Sequence, residues 1–351
     1  MFASFGFTDF TAPQAAILLG AMLGLAFGVL AQRSRFCLRR GLVGAPSERR
    51  PALGLWLTAL GVAVLGTQGA VAAGWIDFDG HRYTASALPV AAIVIGGAAF
   101  GAGMVLTRGC VSRLTVLTGS GNLRALTVLA IFAITAHATL KGALAPLRTT
   151  LGSVTVDPGL ASLAALPGGA PVWAGLLGLT ALGYGLRSGN GAGQLVMAAA
   201  IGLLVPLGWA GTGYVLYDDF DPVALQSLSF TAPMADSLFW TIAGTAVPAN
   251  FGVGLVGGVL AGSAGAALLT REFRWQSFET PRQTGRYLAG AVLMGAGGVL
   301  AGGCTVGAGL AGVPTLGIAA LLALGAIALG AWAADAAIGT RRIPAAGVAA
   351  E

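Results

Sequence analysis

Nine apolar runs, each close to the length of a membrane-spanning helix, constrain this 351-residue chain more than any other feature. They lie at about 12–31, 51–73, 89–107, 122–143, 171–186, 194–210, 252–270, 287–302 and 314–338. A helix needs roughly 20 predominantly apolar residues to cross the hydrocarbon core. Only 9% of the residues are charged, whereas soluble proteins have about 25%. The sequence therefore predicts an all-α integral membrane protein that forms a single domain over 1–351.

The arginines indicate an orientation, because loops that stay in the cytoplasm keep positive residues. The connections 32–50 and 271–286 carry six and four arginines, and the aspartates near 77–79 and 218–236 fall on the opposite side. We expect the N-terminus outside, the C-terminus in the cytoplasm and no cleaved signal peptide, since no basic stretch precedes the first run. The net charge of +6 then serves orientation and anion attraction among membrane lipids, not nucleic-acid binding.

One segment occurs twice. Gly101–Cys110 and Gly295–Cys304 both read GAGxVLxxGC. On the predicted topology the two copies cross the membrane in opposite directions, which is the pattern of an inverted repeat. We expect pseudo-two-fold halves at about 12–145 and 194–338, joined by the span at about 171–186.

Four further stretches are too short to cross and are interpreted as re-entrant half-helices: 34–42, 111–118, 305–313 and one near 225–248. Non-helical backbone is tolerated at membrane depth only where it is buried in protein or lines a cavity. Half-helices that enter from opposite sides therefore predict the position of a transport path.

The three cysteines, Cys37, Cys110 and Cys304, each lie at or near the start of such a short element. With no CxxC pair and no Cys/His group, the sequence predicts neither a disulfide framework nor a metal site, and no cofactor. The free backbone N–H groups and the positive end of a helix dipole favour an anion. Gly109 and Gly303, just before two of the cysteines, allow a close approach of the backbone to a ligand.

Thiols suit a particular kind of anion. The S–H group is a weak donor and sulfur a soft, polarizable acceptor, so a thiol can contact the terminal sulfur of thiosulfate without holding it tightly. We predict that the cysteines are successive stations for this ion and remain mostly protonated, since a thiolate would repel a dianion. Arg39 and Arg108 are secondary candidates that draw anions to the inner mouth, although membrane anchoring explains cytoplasmic arginines equally well.

The motif pair, together with Gln32–Gly41, Gly208–Gly213 and Ser227–Pro233, resembles the YeeE/YedE family of sulfur-transport membrane proteins over nearly the whole chain. The resemblance implies thiosulfate uptake through the bacterial cytoplasmic (inner) membrane. It also implies an hourglass-shaped path with short helices that meet mid-membrane, and one cysteine on each of three of them. A small cytosolic sulfur-carrier protein of the TusA type is an expected partner. Other members are associated with selenium, so a selenium compound remains an alternative substrate.

Functions from other classes also remain open. A membrane thiol enzyme, either a disulfide oxidoreductase or a sulfurtransferase, needs a reactive thiol and usually a resolving neighbour, and the sequence has no close pair of cysteines. A channel for another solute would be insensitive to loss of the thiols. No GxxxxGK[ST] motif for ATP is present, so energy would come from a gradient or from consumption of the substrate. We expect a transporter, not an enzyme.

Three smaller features add expectations about packing. The GxxxG runs of Gly20, Gly24, Gly28 and of Gly254, Gly258, Gly262 predict close helix contact. Trp209 lies near the end of a predicted span and is assigned to an interfacial belt. Gln68, a polar residue at membrane depth, fits either a helix contact or the lining of the path.

Overall fold

The computed structural model describes residues 11–218 and 221–339 of the chain. Within these residues the α-helices are, in order, α1 Ala12–Ser34, α2 Leu38–Val43, α3 Pro46–Ala72, α4 Val90–Leu106, α5 Val111–Gly119, α6 Leu123–Lys141, α7 Ala145–Gly152, α8 Gly169–Leu186, α9 Ala192–Ala210, α10 Thr231–Ala243, α11 Phe251–Leu269, α12 Pro281–Leu300 and α13 Ile318–Gly339. Two π-helices, Gly211–Val215 and Thr305–Gly312, and two 3₁₀ turns, Leu163–Ala165 and Val313–Thr315, lie between them.

Nine segments of the described chain are helical, long and apolar enough to cross a membrane. They contain α1, α3, α4, α6, α8, α9, α11, α12 and α13. The prediction of an all-α, multi-pass membrane protein with nine spans is therefore confirmed. Arg341 and Arg342, which follow the last apolar run and fall on the predicted cytoplasmic side, lie outside the described residues.

Some helices begin before their apolar runs do. α12 begins at Pro281 and not near residue 287, and the hydroxyl of Thr280 accepts a hydrogen bond from the backbone N–H of Gln283. α3 likewise begins at Pro46. Proline is favoured in the first turn, where its missing N–H costs no hydrogen bond. These first turns are polar, so the hydrophobic pattern could not reveal them.

The connections between spans divide into two groups at opposite ends of the bundle. The connections that carry most of the arginines contact one another through hydrogen bonds that include Gln32 to Glu272, Asn122 to Gln276, and Arg50 to the carbonyl of Arg187. We call this the arginine-rich end. At the opposite end, β-bridges join Leu88 to Val156 and Ser162 to Gly317. Helices that cross the membrane in alternating directions place successive connections at opposite ends, as observed here.

The two GxxxG runs pack against each other in parallel. A Cβ built on Gly24 would overlap the carbonyl of Leu255, and one on Gly258 would overlap the carbonyl of Ala21. The backbones of α1 and α11 can approach this closely only because these positions have no side chain. The predicted close contact is confirmed, and it lies within one chain.

This contact gives a matched test of packing. Gly258→Ala is expected to destabilise the fold by about 1–3 kcal/mol, the usual cost of overpacking. Gly257→Ala is the control, because a Cβ on Gly257 meets nothing within 4 Å. Thermal unfolding and gel filtration of the detergent-solubilised variants measure the difference. Equal melting temperatures for the two variants would contradict the close packing of α1 and α11.

The two copies of the repeated motif lie on helices that cross in opposite directions. A Cβ on Gly297 of α12 would lie 2.5 Å from the carbonyl oxygen of Gly96 of α4, and one on Gly103 would lie 2.6 Å from that of Gly290. In the sequence match Gly96 corresponds to Gly290 and Gly103 to Gly297, so the contacts exchange when the copies are exchanged. A local two-fold axis produces reciprocal contacts of this kind. The repeat over the full halves remains a prediction.

Candidate functional site

Each cysteine occupies the same local position, as the residue that precedes a short helix. Cys37 is the N-cap of α2, Cys110 the N-cap of α5, and Cys304 the N-cap of the π-helix Thr305–Gly312, which we call the Cys304 π-helix. All three have extended backbone. The first N–H groups of each short helix, which have no partner within the helix, therefore lie next to a thiol.

A kink in the left-handed region lies two residues before each cysteine. Arg35 has φ 53°, Arg108 has φ 62° and Gly302 has φ 75°. For a residue with a Cβ this region costs roughly 1–2 kcal/mol, so the kink at the two arginines must be held by packing around it. The Cys37 segment thus has the geometry of the motif pair although its sequence does not match GAGxVLxxGC.

The three thiols are buried, unoxidised and close together. Cys37 is 4%, Cys110 2% and Cys304 0% exposed, and no disulfide joins them. The side chain of Cys110 interacts with that of Cys37 and with the hydroxyl of Thr305, and it also interacts electrostatically with Cys304. Cysteines far apart in the sequence therefore converge in the fold, including a close pair that the sequence does not reveal.

Polar groups surround the thiols. The Cys110 sulfur lies 3.2 Å from the hydroxyl oxygen of Ser112, and the Cys304 sulfur accepts a hydrogen bond of 3.3 Å from the N–H of Gly307. The backbone at Phe230, just before α10, also interacts with Cys304. We call the three cysteines and these neighbours, Ser112, Thr305, Gly307 and the backbone at Phe230, the thiol cluster. Each of the four predicted half-helices contributes a residue to it.

A cavity of about 320 Å³ lies on the side of the thiol cluster away from the arginine-rich end. Its lining includes His81, Arg82, Tyr83, Trp209, Ser227, Ser229 and Gly307. We call it the aromatic cavity. Because Gly307 both lines it and donates to the Cys304 sulfur, the aromatic cavity ends next to this thiol.

A second cavity, of about 460 Å³, lies at the arginine-rich end. Its charged lining consists of Arg35, Arg40, Glu48, Arg113, Arg271, Glu272 and Arg274. We call it the arginine cavity. The guanidinium of Arg113 interacts electrostatically with both Cys37 and Cys110. The thiol cluster therefore lies between two cavities that open toward opposite ends of the bundle.

Tyr83 fixes the backbone on both sides of Cys304. Its hydroxyl oxygen lies 3.1 Å from the carbonyl oxygen of Gly302 and 3.0 Å from that of Gly307, and it accepts a hydrogen bond from Arg82. Burial raises the pKa of the Tyr83 hydroxyl, so it keeps the proton that it donates to these carbonyls. The connection 73–89 thus positions the Cys304 thiol.

Two other side chains hold the end of the same segment. The indole N–H of Trp209 donates to the carbonyl of Ala311 over 3.3 Å, and the amide of Gln68 donates to the carbonyl of Pro314 over 2.7 Å. Irregular backbone leaves carbonyl groups that need such partners. Trp209 is only 3% exposed, so its assignment to an interfacial belt is wrong. Gln68 acts as a contact between elements.

His81 contributes an aromatic wall and no charge. Its ring packs edge-on against Trp209, at 5.3 Å between centroids, and lies 5.9 Å from the ring of Phe78. Burial lowers the pKa of His81 to about 4, and the nearby charge of Arg82 acts in the same direction. The imidazole is therefore neutral at pH 7, and Arg82 supplies the positive charge of the aromatic cavity.

The two glycines singled out by the sequence differ in their surroundings. A Cβ on Gly303 would lie 2.7 Å from the backbone nitrogen of Ala308 and 3.0 Å from the Tyr83 hydroxyl, whereas one on Gly109 would have its nearest neighbour, a side-chain atom of Leu114, at 3.4 Å. Gly303 is therefore required by close packing around the Cys304 π-helix. Gly109 has room for a methyl group.

This difference predicts different responses to the same substitution. Gly303→Ala is expected to displace the Cys304 π-helix and to lower both the melting temperature and the transport rate, at a cost of about 1–3 kcal/mol. Gly109→Ala should keep both close to the wild-type values. The pair can be compared by thermal unfolding and by initial uptake rates in proteoliposomes. A larger loss for Gly109→Ala would show that the two environments are described incorrectly.

Arg39 and Arg108, the two arginines predicted to attract anions, line neither cavity. Arg39 is half-buried and Arg108 is exposed, and their role in the path remains a prediction. Arg113 interacts with two of the thiols, but it was not among the residues predicted for the path. The signal that could have identified it is an arginine inside a short apolar stretch, because a charge within a membrane segment is usually functional.

Comparisons with known proteins identify the family of the chain. The family model described as sulphur transport matches residues 33–333, a range that includes all three cysteines. The chain is also 28% identical, over 310 residues, to the thiosulfate transporter TsuA of Escherichia coli (strain K12), and the match covers 79% of this chain and 82% of that protein. The resemblance found in the motifs is confirmed. The chain belongs to the sulphur transport family of membrane proteins.

Proposed function

We propose that this protein takes up thiosulfate into the cytoplasm along a path through the aromatic cavity, the thiol cluster and the arginine cavity. The observation that carries the proposal is the convergence of three buried thiols between cavities at opposite ends. The name of the Escherichia coli relative supports thiosulfate as the substrate.

The chemistry of the path fits a sulfur-containing dianion. Arg82 and the N–H groups at the start of α10 favour entry of an anion into the aromatic cavity. At the thiol cluster, Cys304, Cys110 and Cys37 offer weak S–H donors and polarizable sulfur atoms to the terminal sulfur of thiosulfate. Weak sites in series allow the ion to enter and to leave, as conduction requires.

The orientation of the proposed path is inferred from the arginines. Loops rich in Lys and Arg remain in the cytoplasm, so the arginine-rich end is the cytoplasmic side of the bacterial inner membrane, the N-terminus is outside and the C-terminus is inside. The arginine cavity is then the exit. A TusA-like sulfur-carrier protein that receives the ion's sulfur would act at this side.

An inverted repeat with re-entrant half-helices gives the simplest origin for such a path. The reciprocal glycine contacts of α4 and α12 support it. The helix pairings support it as well. In the predicted halves α1, α3, α4 and α6 correspond to α9, α11, α12 and α13. The pair α1 and α11 then corresponds to α9 and α3, the pair α4 and α13 corresponds to α12 and α6, and all four pairs are in contact. Transporters built in this way bind their substrate at the interface between the repeats, where we place the thiol cluster.

Uptake by the purified protein in proteoliposomes tests the proposal. Two preparations of thiosulfate are used, one with radioactive sulfur at the terminal position and one at the oxygen-bearing position. We expect both labels to accumulate at the same rate, above the level of empty liposomes, and an excess of unlabelled thiosulfate to compete. A wild-type rate equal to that of empty liposomes would refute the proposal.

A sulfurtransferase is the second candidate, favoured by the contact between Cys37 and Cys110. In that reaction a thiolate attacks the terminal sulfur of thiosulfate, the S–S bond breaks, sulfite leaves and a cysteine persulfide remains. A neighbouring thiol could then accept the sulfur. The double-label experiment separates the two functions, since only the terminal label would be retained by a persulfide.

A further inference from the structure

The arginine cavity holds more positive than negative charge. Five arginines and two glutamates line it. The guanidinium of Arg40 bonds Glu48 over 3.1 Å, and the amide of Gln32 bonds Glu272 over 3.1 Å. Like charges that share a cavity repel one another, and the repulsion is strongest where water is limited. The excess of arginines therefore favours a bound anion.

Among the arginines of this cavity that form no ion pair in the described part of the chain, Arg113 is the one closest to the thiols. Its guanidinium donates one hydrogen bond of 3.4 Å, to the carbonyl of Ala31, and none of the ion pairs in the described part of the chain includes it. A guanidinium has five N–H donors, so most of them are available to a ligand in the cavity. A cation within a membrane segment usually has a counter-charge.

The helix α5 connects the thiol cluster to this cavity along one face. Arg113, Leu117 and Ser120 line the cavity, and their spacing, like that from Cys110 to Arg113, is close to whole helical turns. Arg113 therefore follows Cys110 by about one turn, or about 5 Å. An anion that leaves the Cys110 thiol toward the arginine-rich end meets this guanidinium next.

We propose that the arginine cavity is a binding site for divalent sulfur oxyanions in which Arg113 is the principal ligand, supported by the charges of Arg35 and Arg40. A guanidinium pairs with oxyanion oxygens through parallel N–H bonds, and these oxygens are common to thiosulfate and sulfate. The thiols contact the terminal sulfur, which sulfate lacks. The arginine cavity thus binds both ions, whereas the thiol cluster discriminates between them, and sulfate at the cytoplasmic side competes with release of thiosulfate.

Equilibrium binding of radiolabelled sulfate to the full-length protein in detergent tests the site without transport. We expect Arg113→Gln to weaken sulfate binding by about tenfold or more, the worth of a charge-assisted bond, and Arg113→Lys to weaken it by a few-fold only. Arg282→Gln, at an exposed position at the start of α12, should bind as the wild type does.

Arg40→Gln provides a second test if Arg113→Gln does not fold, as judged by gel filtration, and should weaken sulfate binding about threefold. Wild-type affinity in folded Arg113→Gln, or in Arg40→Gln if that variant alone folds, would overturn the proposal. An absence of sulfate binding to the wild type would also overturn it.

The site depends on the proposed function in one respect only, which is its position on the transport path. Thiosulfate uptake without sulfate binding would refute the site alone, and sulfate binding lost in Arg113→Gln without any uptake would refute the proposed function alone.

Discussion

Mild oxidation of the protein in proteoliposomes is expected to stop thiosulfate uptake, and a thiol reductant is expected to restore it. The side chains of Cys37 and Cys110 already interact, so we expect the two thiols to be close enough to join in a disulfide. Two protons and two electrons pass to the oxidant, for which diamide is suitable. The disulfide removes both S–H groups and ties α2 to α5 at the thiol cluster. We expect the initial rate to fall at least tenfold.

Peptide mass spectrometry identifies the bond that forms. Cys304→Ala should still form the Cys37–Cys110 disulfide, whereas Cys37→Ala should not. A protein that forms this disulfide and keeps its uptake rate would show that the two thiols lie off the path. Loss of uptake with no disulfide detected would point to oxidation elsewhere.

Cys110→Ala is expected to reduce uptake by at least tenfold at low thiosulfate concentration. The Cys110 thiol interacts with Cys37, Thr305 and Ser112, so it occupies the centre of the cluster. A hydrogen bond to a charged group is worth about 1.5–3 kcal/mol, and each 1.4 kcal/mol corresponds to about a tenfold change in rate. Cys110→Ser should retain more activity than alanine, because it keeps a donor, but less than cysteine, because oxygen lacks the polarizability of sulfur.

Ser112→Ala is the matched control for this prediction. It removes the hydroxyl that lies 3.2 Å from the Cys110 sulfur and leaves the thiol in place, so we expect a change of about threefold or less. Initial rates over a range of thiosulfate concentrations separate binding from turnover. Wild-type rates in folded Cys110→Ala would contradict a role for this thiol in the path.

Those parts of the fold that depend on local composition could be predicted from the sequence. The apolar runs locate all nine spans of the described chain to within a few residues, apart from the polar first turns of helices such as α12. The spacing of Gly254, Gly258 and Gly262 predicts the contact between α1 and α11, because only glycine permits backbones to approach so closely.

The candidate site could be predicted only in part. The repeated Gly-Cys ending led to Cys110 and Cys304, but the contact between Cys37 and Cys110 depends on the packing of α2 near α5, which no local pattern records. Tyr83 was missed because the connection 73–89 is polar and aperiodic, although it folds back and buries this ring to 3% exposure. Trp209 was misassigned because a position near the end of a span does not reveal whether a side chain faces lipid or protein.

Uptake by a variant in which Cys37, Cys110 and Cys304 are all replaced by alanine tests most directly whether thiosulfate passes along the thiols. The comparison is made in proteoliposomes with equal amounts of folded protein. We predict a rate indistinguishable from that of empty liposomes. A rate within about twofold of the wild type would contradict transport along the cysteines and would identify the path as a channel that does not use them.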